Sequence, residues 1–381
     1  MDDGRWFGPS ARGTNGNTKL RTVICTVTND LNYDQRMIRI CSSLQAHGFN
    51  VELVGRVLKD SRPLNDKPFQ QHRLKCRFNK GPMFYLEYNV RLLRYFILRK
   101  PDVINTVDLD TVFAARLYRF LVSFFWVFDA HEHFTEVPEV TNRRLVKFIW
   151  KLMEISVFRN AHRFYTVSGS ISDLYHKRYK KQVSVIRNVP YLRSKDVVKP
   201  KSDLSDYGSL IYQGALNAGR CIDLYIRAMH QIDAQLLLVG EGDLSAELRA
   251  LVKSENLEHK VKFMGKLAPE DLRLVTRKAR MGLNVLENIG LSYYYSLSNK
   301  CFDYVQAHIP SISSNFPEYK RLNEEYETML LVEPNLEDIT QAINQLLTDD
   351  ELYNQLKYNC TFAAEKWNWK YEEKKLLTVY E

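Results

Sequence analysis

Several short segments carry residue types that could do chemistry. Phe128-Asp129-Ala130-His131-Glu132-His133 follows a strongly apolar run. It would place Asp, His and Glu at the carboxyl end of a strand, where an imidazole can carry hydrogen bonds or protons near neutral pH. The alternative is a loop whose polar groups cap the next helix. Ser296-Leu297-Ser298-Asn299-Lys300-Cys301-Phe302-Asp303-Tyr304 has the form of a helix start with Ser298 as N-cap. Lys300 would then sit in the first turn, where a cation opposes the helix dipole. A phosphate between the N–H groups and the Lys would remove that conflict; a solvated Lys is the other reading. Val239-Gly240-Glu241-Gly242-Asp243 ends one strand and opens a helix. Its glycines would either admit a ligand closely or make a turn. Thr28-Asn29-Asp30-Leu31-Asn32-Tyr33-Asp34 also joins a strand to a helix. It carries carboxylates and no Gly, so it is no dinucleotide fingerprint, and N-capping by Asn32 or Asp30 competes with anion binding. Asp108-Leu109-Asp110 has the Asp-x-Asp form of some metal sites, a triplet common by chance.

Positioning these groups requires elements. Residues 22–27 read as a short β-branched strand, and Met37, Ile40, Cys41 and Leu44 space an amphipathic helix over 33–47. Further strands are predicted at 51–54, 103–104, 127–128, 164–167 and 183–186, with helical patterns between them. Residues 194–209 are rich in Lys, Asp, Ser, Pro and Gly, a linker composition. The rhythm then restarts with strands at 210–212, 236–239, 261–264, 283–286, 311–313 and 330–332. This is the βαβ pattern of doubly wound parallel sheets, so the chain reads as two α/β domains. Ligands of such sheets bind beyond the carboxyl ends of the strands, and the expected site is a cleft between two facing domains.

The length of 381 residues fits two domains. Lys and Arg number 54 against 45 Asp and Glu, a formal charge of +9, which asks for a nucleic acid, a membrane surface or an acidic small molecule. No nucleic-acid module or basic stripe with interleaved aromatics is present. The six cysteines show no Cys-x-x-Cys spacing and read as reduced buried thiols of a cytoplasmic protein. No apolar run approaches the roughly 20 residues of a membrane span, and residues 1–18 read as a flexible leader. Residues 83–100 and 177–181 are basic and, in the first case, rich in aromatic and aliphatic residues. Such helices either lie on anionic lipid or present a solvated face.

Together these residues resemble the retaining glycosyltransferases of the GT-B fold, family 4, over about residues 20–381. The N-terminal half of the resemblance rests on Thr28-Asn29-Asp30 through Asp34-Gln35-Arg36, on Asp108-Leu109-Asp110, and on Asp129-Ala130-His131-Glu132 with Thr135-Glu136-Val137-Pro138. It continues through Thr166-Val167-Ser168 and Ile186-Arg187-Asn188-Val189-Pro190. The C-terminal half rests on Gly214-Ala215-Leu216 with Arg220, on Gly240-Glu241-Gly242, on Asn299-Lys300-Cys301-Phe302-Asp303-Tyr304, and on Ile309-Pro310 and Trp367-Asn368-Trp369.

The resemblance implies two Rossmann-like domains: an acceptor-binding one over 19–193 and a nucleotide-sugar-binding one over 210–364. A helix over 365–381 would cross back to the first. Asp303 matches the ribose-binding acid, and Ser298, Asn299 and Lys300 lie where the diphosphate is received. Arg220 matches the basic residue that neutralises it, Gly214, Gly240 and Gly242 line the donor cleft, and His131 matches a His near the donor sugar. Asn29, Asp30, Asp34 and Arg36 fall on the acceptor side. A nucleotide-sugar donor, a glycan or lipid-linked acceptor, no metal and peripheral membrane contact follow as expectations.

The departures are specific. The first acid of the family's pair, eight residues before Asp303, is Tyr295 here. Tyr293, Tyr294 and Tyr295 would take over sugar recognition by stacking and hydroxyl contacts. An Arg usual after the first glycine is Ala215, and Asn105-Thr106-Val107-Asp108 lacks a His that many relatives have. Ala215 and Tyr295 are also compatible with a non-catalytic partner subunit, and the His131-Glu132-His133 cluster with a sugar-nucleotide epimerase.

Overall fold

The computed structural model describes residues 10–12, 18–32, 34–131, 144–192 and 208–381. The chain forms two compact units, residues 1–188 with 372–381, and residues 189–371.

The first unit holds a seven-stranded parallel sheet. Its strands follow a short antiparallel pair, β1 (Ser10–Arg12) and β2 (Thr18–Leu20), which stands where a flexible leader was expected. They are β3 (Thr22–Thr26), β4 (Asn50–Arg56), β5 (Gln70–Leu74), β6 (Val103–Val107), β7 (Phe125–Ala130), β8 (Arg163–Thr166) and β9 (Ser184–Val185). Their order is β5-β4-β3-β6-β7-β8-β9. β3, β6 and β7 are buried along nearly their whole length, which is why they read as continuous apolar runs. β5 was not predicted: Gln70-Gln71-His72-Arg73-Leu74 is a polar edge strand with only Leu74 buried. The strand order reverses between β3 and β6. The loops leaving these two strands therefore part at the carboxyl edge, the crevice where open α/β sheets take ligands.

The second unit holds six parallel strands: β10 (Leu210–Gln213), β11 (Leu236–Val239), β12 (Val261–Gly265), β13 (Met281–Asn284), β14 (Ser311–Ser314) and β15 (Met329–Val332). Their order is β12-β11-β10-β13-β14-β15, so the reversal lies between β10 and β13. β13 ends earlier than predicted, because Val285 and Leu286 are buried core residues of the following loop rather than strand.

The division between units falls at 188/189, not in the expected linker 194–209. Val189 already packs with Leu286, Phe302 and Trp367 in the second unit's core, and the Trp369 N–H donates to the Pro190 carbonyl at 2.8 Å. The C-terminal helix runs over Trp369–Tyr380, whereas residues 365 and 366 end the preceding helix, Asp350–Lys366. Only from Glu372 does the chain rejoin the first unit.

Candidate active site

In the second unit the loops leaving β10, β11 and β13 converge with the start of the helix Asn299–Gln306. The Gly214 N–H donates to the Val239 carbonyl at 2.8 Å and the Gly240 N–H to the Gly265 carbonyl at 2.8 Å. Gly240 has φ +137°, and a Cβ there would overlap the Gly214 carbonyl. A Cβ at Gly242 would strike the Leu216 backbone and the Asn217 side chain. Both glycines are thus required for the two loops to cross at contact distance. On the β13 side, the Glu287 N–H donates to the Gly219 carbonyl at 3.1 Å, tying the third loop to the first.

The cations stand over this frame. Ser298 caps the helix Asn299–Gln306, accepting from the Lys300 N–H at 3.4 Å. Lys300 is buried, its Nζ 5.3 Å from the centre of the Tyr212 ring. Burial, and then the neighbouring Arg220 charge, push its pKa down to about 7, against the weaker pull of Cys301 and Asp303. Arg220 lies over the Tyr293 ring at 5.6 Å, and its buried Nε has no hydrogen-bond partner among the described residues. Two basic side chains at a helix N-terminus, one of them held only partly charged, form a site short of negative charge. An entering diphosphate would be met by the helix N–H groups, by Arg220 and by a Lys300 that recovers its proton. One turn on, Asp303 accepts from Gln213 Nε2 at 3.2 Å, and Thr276 Oγ1 donates to Gln213 Oε1 at 2.8 Å. This chain fixes the Gln213 amide and orients the carboxylate.

In the first unit the ends of β6 and β7 carry a second polar centre. Asp129 is fully buried and meets Arg36 at 3.1 and 3.3 Å, while Arg36 also donates to the Ile186 carbonyl at 2.8 Å. Burial works against the Asp129 charge, but Arg36 and then His131 outweigh it and lower its pKa. His131 Nε2 donates to Asp129 Oδ2 at 3.0 Å, and its backbone N–H donates to Asp108 Oδ1 at 2.9 Å. Desolvation opposes the imidazolium, yet the Asp129 carboxylate prevails and raises the pKa to about 9. His131 is therefore a cation at neutral pH. Its Nδ1 lies 3.9 Å from Asp108 Oδ2, an ion-pair distance beyond hydrogen-bond range. Asp108 holds this place with φ +53°, an uncommon backbone state for a residue with a Cβ.

The structure brings Gly214, Gly240, Gly242, Arg220, Ser298, Lys300 and Asp303 together in the second unit. Asn299 is exposed at the helix start, and Tyr295 packs on Tyr294 at 5.2 Å. Tyr294 itself packs on Phe316 at 5.1 Å, so only Tyr293 of the three tyrosines reaches a site cation. The residues expected on the acceptor side lie in the first unit and make contacts within it. Asp30 accepts from Arg73 at 2.7 Å and from Ser61 Oγ at 2.5 Å. Asp34 caps the helix Gln35–Ala46 through the Met37 N–H at 2.9 Å and accepts from Asn29 at 2.8 Å. Asp34, rather than Asn32 or Asp30, is thus the N-cap. Arg36 supports Asp129 from a buried position. Glu132, His133 and residues 135–138 lie outside the described residues. Sequence reasoning missed Tyr212 and Gln213, and read Asp108 only as part of an Asp-x-Asp triplet. Tyr212 and Gln213 carry one available signal: they end a strand immediately before Gly214.

Comparison with known proteins shows the family and the fold. The family described as Glycosyltransferase Family 4 matches residues 35–189, and that described as Glycosyl transferases group 1 matches residues 194–361. The chain belongs to the family 4 glycosyltransferases of the GT-B fold. Among solved structures it is similar to a sucrose-phosphate synthase from Thermosynechococcus elongatus, at 20% identity and TM-score 0.76, covering 94% of this chain and 98% of that one. It is also similar to Anabaena HepE in complex with UDP-glucose, at 12% identity and TM-score 0.72, covering 93% and 98%. A third is WaaG, a glycosyltransferase involved in lipopolysaccharide biosynthesis, at 12% identity and TM-score 0.70, covering 94% and 99%. At these identities the likeness speaks for the fold. No curated protein matches the chain.

Proposed function

We propose that the chain transfers a sugar from a nucleoside-diphosphate sugar to a glycan or lipid-linked acceptor, with retention at the anomeric carbon and without a metal ion. The observation that carries this reading is the pairing of buried Lys300 with Arg220 at the N-terminus of the helix Asn299–Gln306. Leaving-group charge grows on the diphosphate as the anomeric C–O bond breaks. Two fixed cations and oriented N–H groups stabilise that charge without reorganising. The acceptor oxygen bonds to the anomeric carbon on the face the diphosphate leaves, and its proton passes to a diphosphate oxygen. No carboxylate base is assigned. Asp303, held by Gln213, is assigned to the ribose hydroxyls, and His131 to a sugar hydroxyl as a fixed cationic donor.

The setting that fits is cell-surface polysaccharide or glycoconjugate synthesis at the cytoplasmic face of a membrane. Among the described residues no helix is long and apolar enough to cross one, so contact would be peripheral.

Titration calorimetry with UDP, GDP, dTDP and CMP, followed by transfer assays with the matching sugars, tests the proposal. One nucleotide is expected to bind, and NMR of the product should show the donor's anomeric configuration, with turnover insensitive to EDTA. Absence of binding by every nucleotide would overturn it. An inverted product would overturn the stereochemical part alone, and loss of turnover with EDTA the metal-free part.

A further inference from the structure

The positive charge of the chain is unevenly placed. Between Arg56 and Lys80 eight residues are Lys or Arg and two are Asp, a surplus of six against nine for the whole chain. All of these cations but Lys67 gather at one edge of the first unit's sheet. Arg56 is the last residue of β4, and Lys59 and Arg62 stand on the loop that leaves it. Arg73 lies near the end of β5, and Lys75, Arg77 and Lys80 follow before the helix Gly81–Arg99. β4 and β5 are parallel, so both strands release their loops at the carboxyl edge. Hydrogen bonds tie the loops together there. Arg73 donates to the Arg62 carbonyl at 2.6 Å, Arg56 donates to the Asn79 carbonyl at 3.1 Å, and the Val57 N–H donates to the Leu74 carbonyl at 3.0 Å.

This edge adjoins the crevice between β3 and β6. On the loop leaving β3, the Asn29 carbonyl accepts from the Arg56 N–H at 3.2 Å, and Asp30 accepts from Arg73 and Ser61.

The acids nearby do not cancel the cations. Asp30 offsets Arg73 alone. Glu87 accepts from the Arg77 and Phe78 N–H groups and pairs with Arg91, which brings a further cation. Asp110 is engaged by Thr28 Oγ1. Asp60 is exposed beside Lys59, and Asp66, like Lys67, leads into the start of β5. Lys59, Arg62, Lys75, Arg77 and Lys80 are exposed, and among the described residues none of the five pairs with a carboxylate. Arg56 is held more firmly. Its guanidinium lies on the Phe84 ring at 4.1 Å, and its buried Nε has no hydrogen-bond partner among the described residues. Like charges on two tied loops repel one another, and a bound polyanion turns that repulsion into attraction.

One phosphate or carboxylate would be satisfied by a single guanidinium fork. Cations spread over two loops call for charge repeated along a chain. Phe78 is the only exposed large hydrophobic side chain between positions 56 and 80. The surface therefore has neither the apolar stripe that enters a bilayer nor the row of aromatics that stacks on bases. A glycan with an acid on successive sugars has the required charge and polarity.

We infer that the acceptor is an acidic glycan whose repeated anionic groups lie along the cations of residues 56–80. The inference deepens the proposed function and rests on its reading of the chain as a transferase, with the acceptor on the first unit.

Calorimetry with a hexamer of galacturonic acid and with maltohexaose, a neutral hexamer, tests it. The acidic hexamer is expected to bind and the neutral one not, with affinity falling as salt is raised. Arg56→Gln should cost roughly tenfold or more, the worth of a charged hydrogen bond. Arg77→Glu with Lys80→Glu should abolish binding, whereas Arg77→Lys with Lys80→Arg keeps the charge and should keep the binding. An unchanged circular dichroism spectrum certifies the fold of each variant. Equal affinity for the two hexamers, or full binding by the double Glu variant, overturns the inference. So does tighter binding of a thymidine hexanucleotide, because a nucleic acid would then own the surface. Displacement of the acidic hexamer by a single inorganic phosphate overturns it too, since one anion would then suffice. Nucleotide binding and transfer to a neutral glycan, with no hold on the acidic hexamer, would remove the inference alone. Binding of the acidic hexamer without binding of any nucleotide would remove the transferase reading and leave the acidic-glycan surface.

Discussion

Lys300 is a buried base and His131 a half-buried one, and their surroundings move them in opposite directions. Lys300 faces Arg220 and the Tyr212 ring, with Asp303 and Cys301 as weaker counterweights, and its pKa falls to about 7. A bound diphosphate would restore its charge, so binding at higher pH must take up a proton. Nucleotide affinity is expected to be flat for this group below about pH 7 and to fall by up to roughly tenfold per pH unit above it. Calorimetry of UDP binding in buffers of different ionisation heat measures that uptake directly, at about one proton near pH 8. Lys300→Met should lose the proton uptake and roughly ten- to a hundredfold in affinity, the worth of a charged hydrogen bond. It should leave unliganded stability equal or higher, because a costly buried charge is gone. Uptake that persists in the variant would assign the titration elsewhere. His131 behaves inversely. Its folded pKa of about 9 lies above the ordinary 6.5, so its contribution to stability is full below pH 6.5 and is lost as pH rises through 9. The shift sets a ceiling of about 3 kcal/mol. Urea unfolding at about pH 6 and about pH 10 should show that loss in the wild type and a much smaller one in His131→Gln.

Elements hold these groups by close backbone passage and by one buried ion pair. The β10 and β11 loops cross at Gly240 and Gly214, where a single methyl would meet a carbonyl oxygen at positive φ. Gly240→Ala is expected to cost about 3 kcal/mol or more and to weaken nucleotide binding at the same time. Gly81→Ala is the matched control. Gly81 also has positive φ (+74°) but open space around it, so only the conformational cost of about 1 kcal/mol should appear, without effect on the nucleotide. Thermal unfolding and calorimetry on the two variants separate strain from steric exclusion; equal losses would refute the crossing argument. In the first unit Arg36 brings a helix to the end of β7. Asp129→Asn leaves the guanidinium buried without its counter-charge and is expected to cost about 3–5 kcal/mol. It should also return the His131 pKa toward 6.5, visible by NMR titration of the ring. None of this pairing was legible beforehand. Arg36 and Asp129 are 93 positions apart, and Gln213 and Asp303 are 90 apart. No periodicity or spacing rule links them.

Across the whole molecule, what could be read in advance was what local physics dictates. Strands buried on both faces announce themselves as β-branched and apolar runs, so both sheets and their helical crossovers were predictable. β5 was not, because an edge strand has no need of apolar residues. The donor-side motifs were legible because glycines and a capped helix start are local devices. Asp30, Asp34 and Arg36, expected on the acceptor side, serve local devices too, as ion-pair partner, N-cap and buried support. The division into units was the hardest to read, since composition marks exposed chain and not packing. The chain leaves the first unit at Asn188 and returns at Glu372, and the returning segment is well fastened. The Glu372 carboxylate accepts from the Arg187 N–H at 2.9 Å, and Leu376, Val379 and Tyr380 are buried, Tyr380 edge-on to Phe49 at 6.1 Å. Deleting residues 372–381 removes three buried side chains worth about 1.5–3 kcal/mol each. It would also uncover Phe49 and leave the Arg187 amide without its acceptor. The first unit is therefore expected to lose roughly 5–8 kcal/mol, most of the margin of an ordinary domain. The second unit keeps Trp367 and Trp369 and should melt as before. Differential scanning calorimetry of the shortened chain should show one transition moved down or lost and one retained. UDP, if it binds the second unit as proposed, should still raise the retained transition. A uniform shift of the whole profile would mean that the last helix serves both units alike.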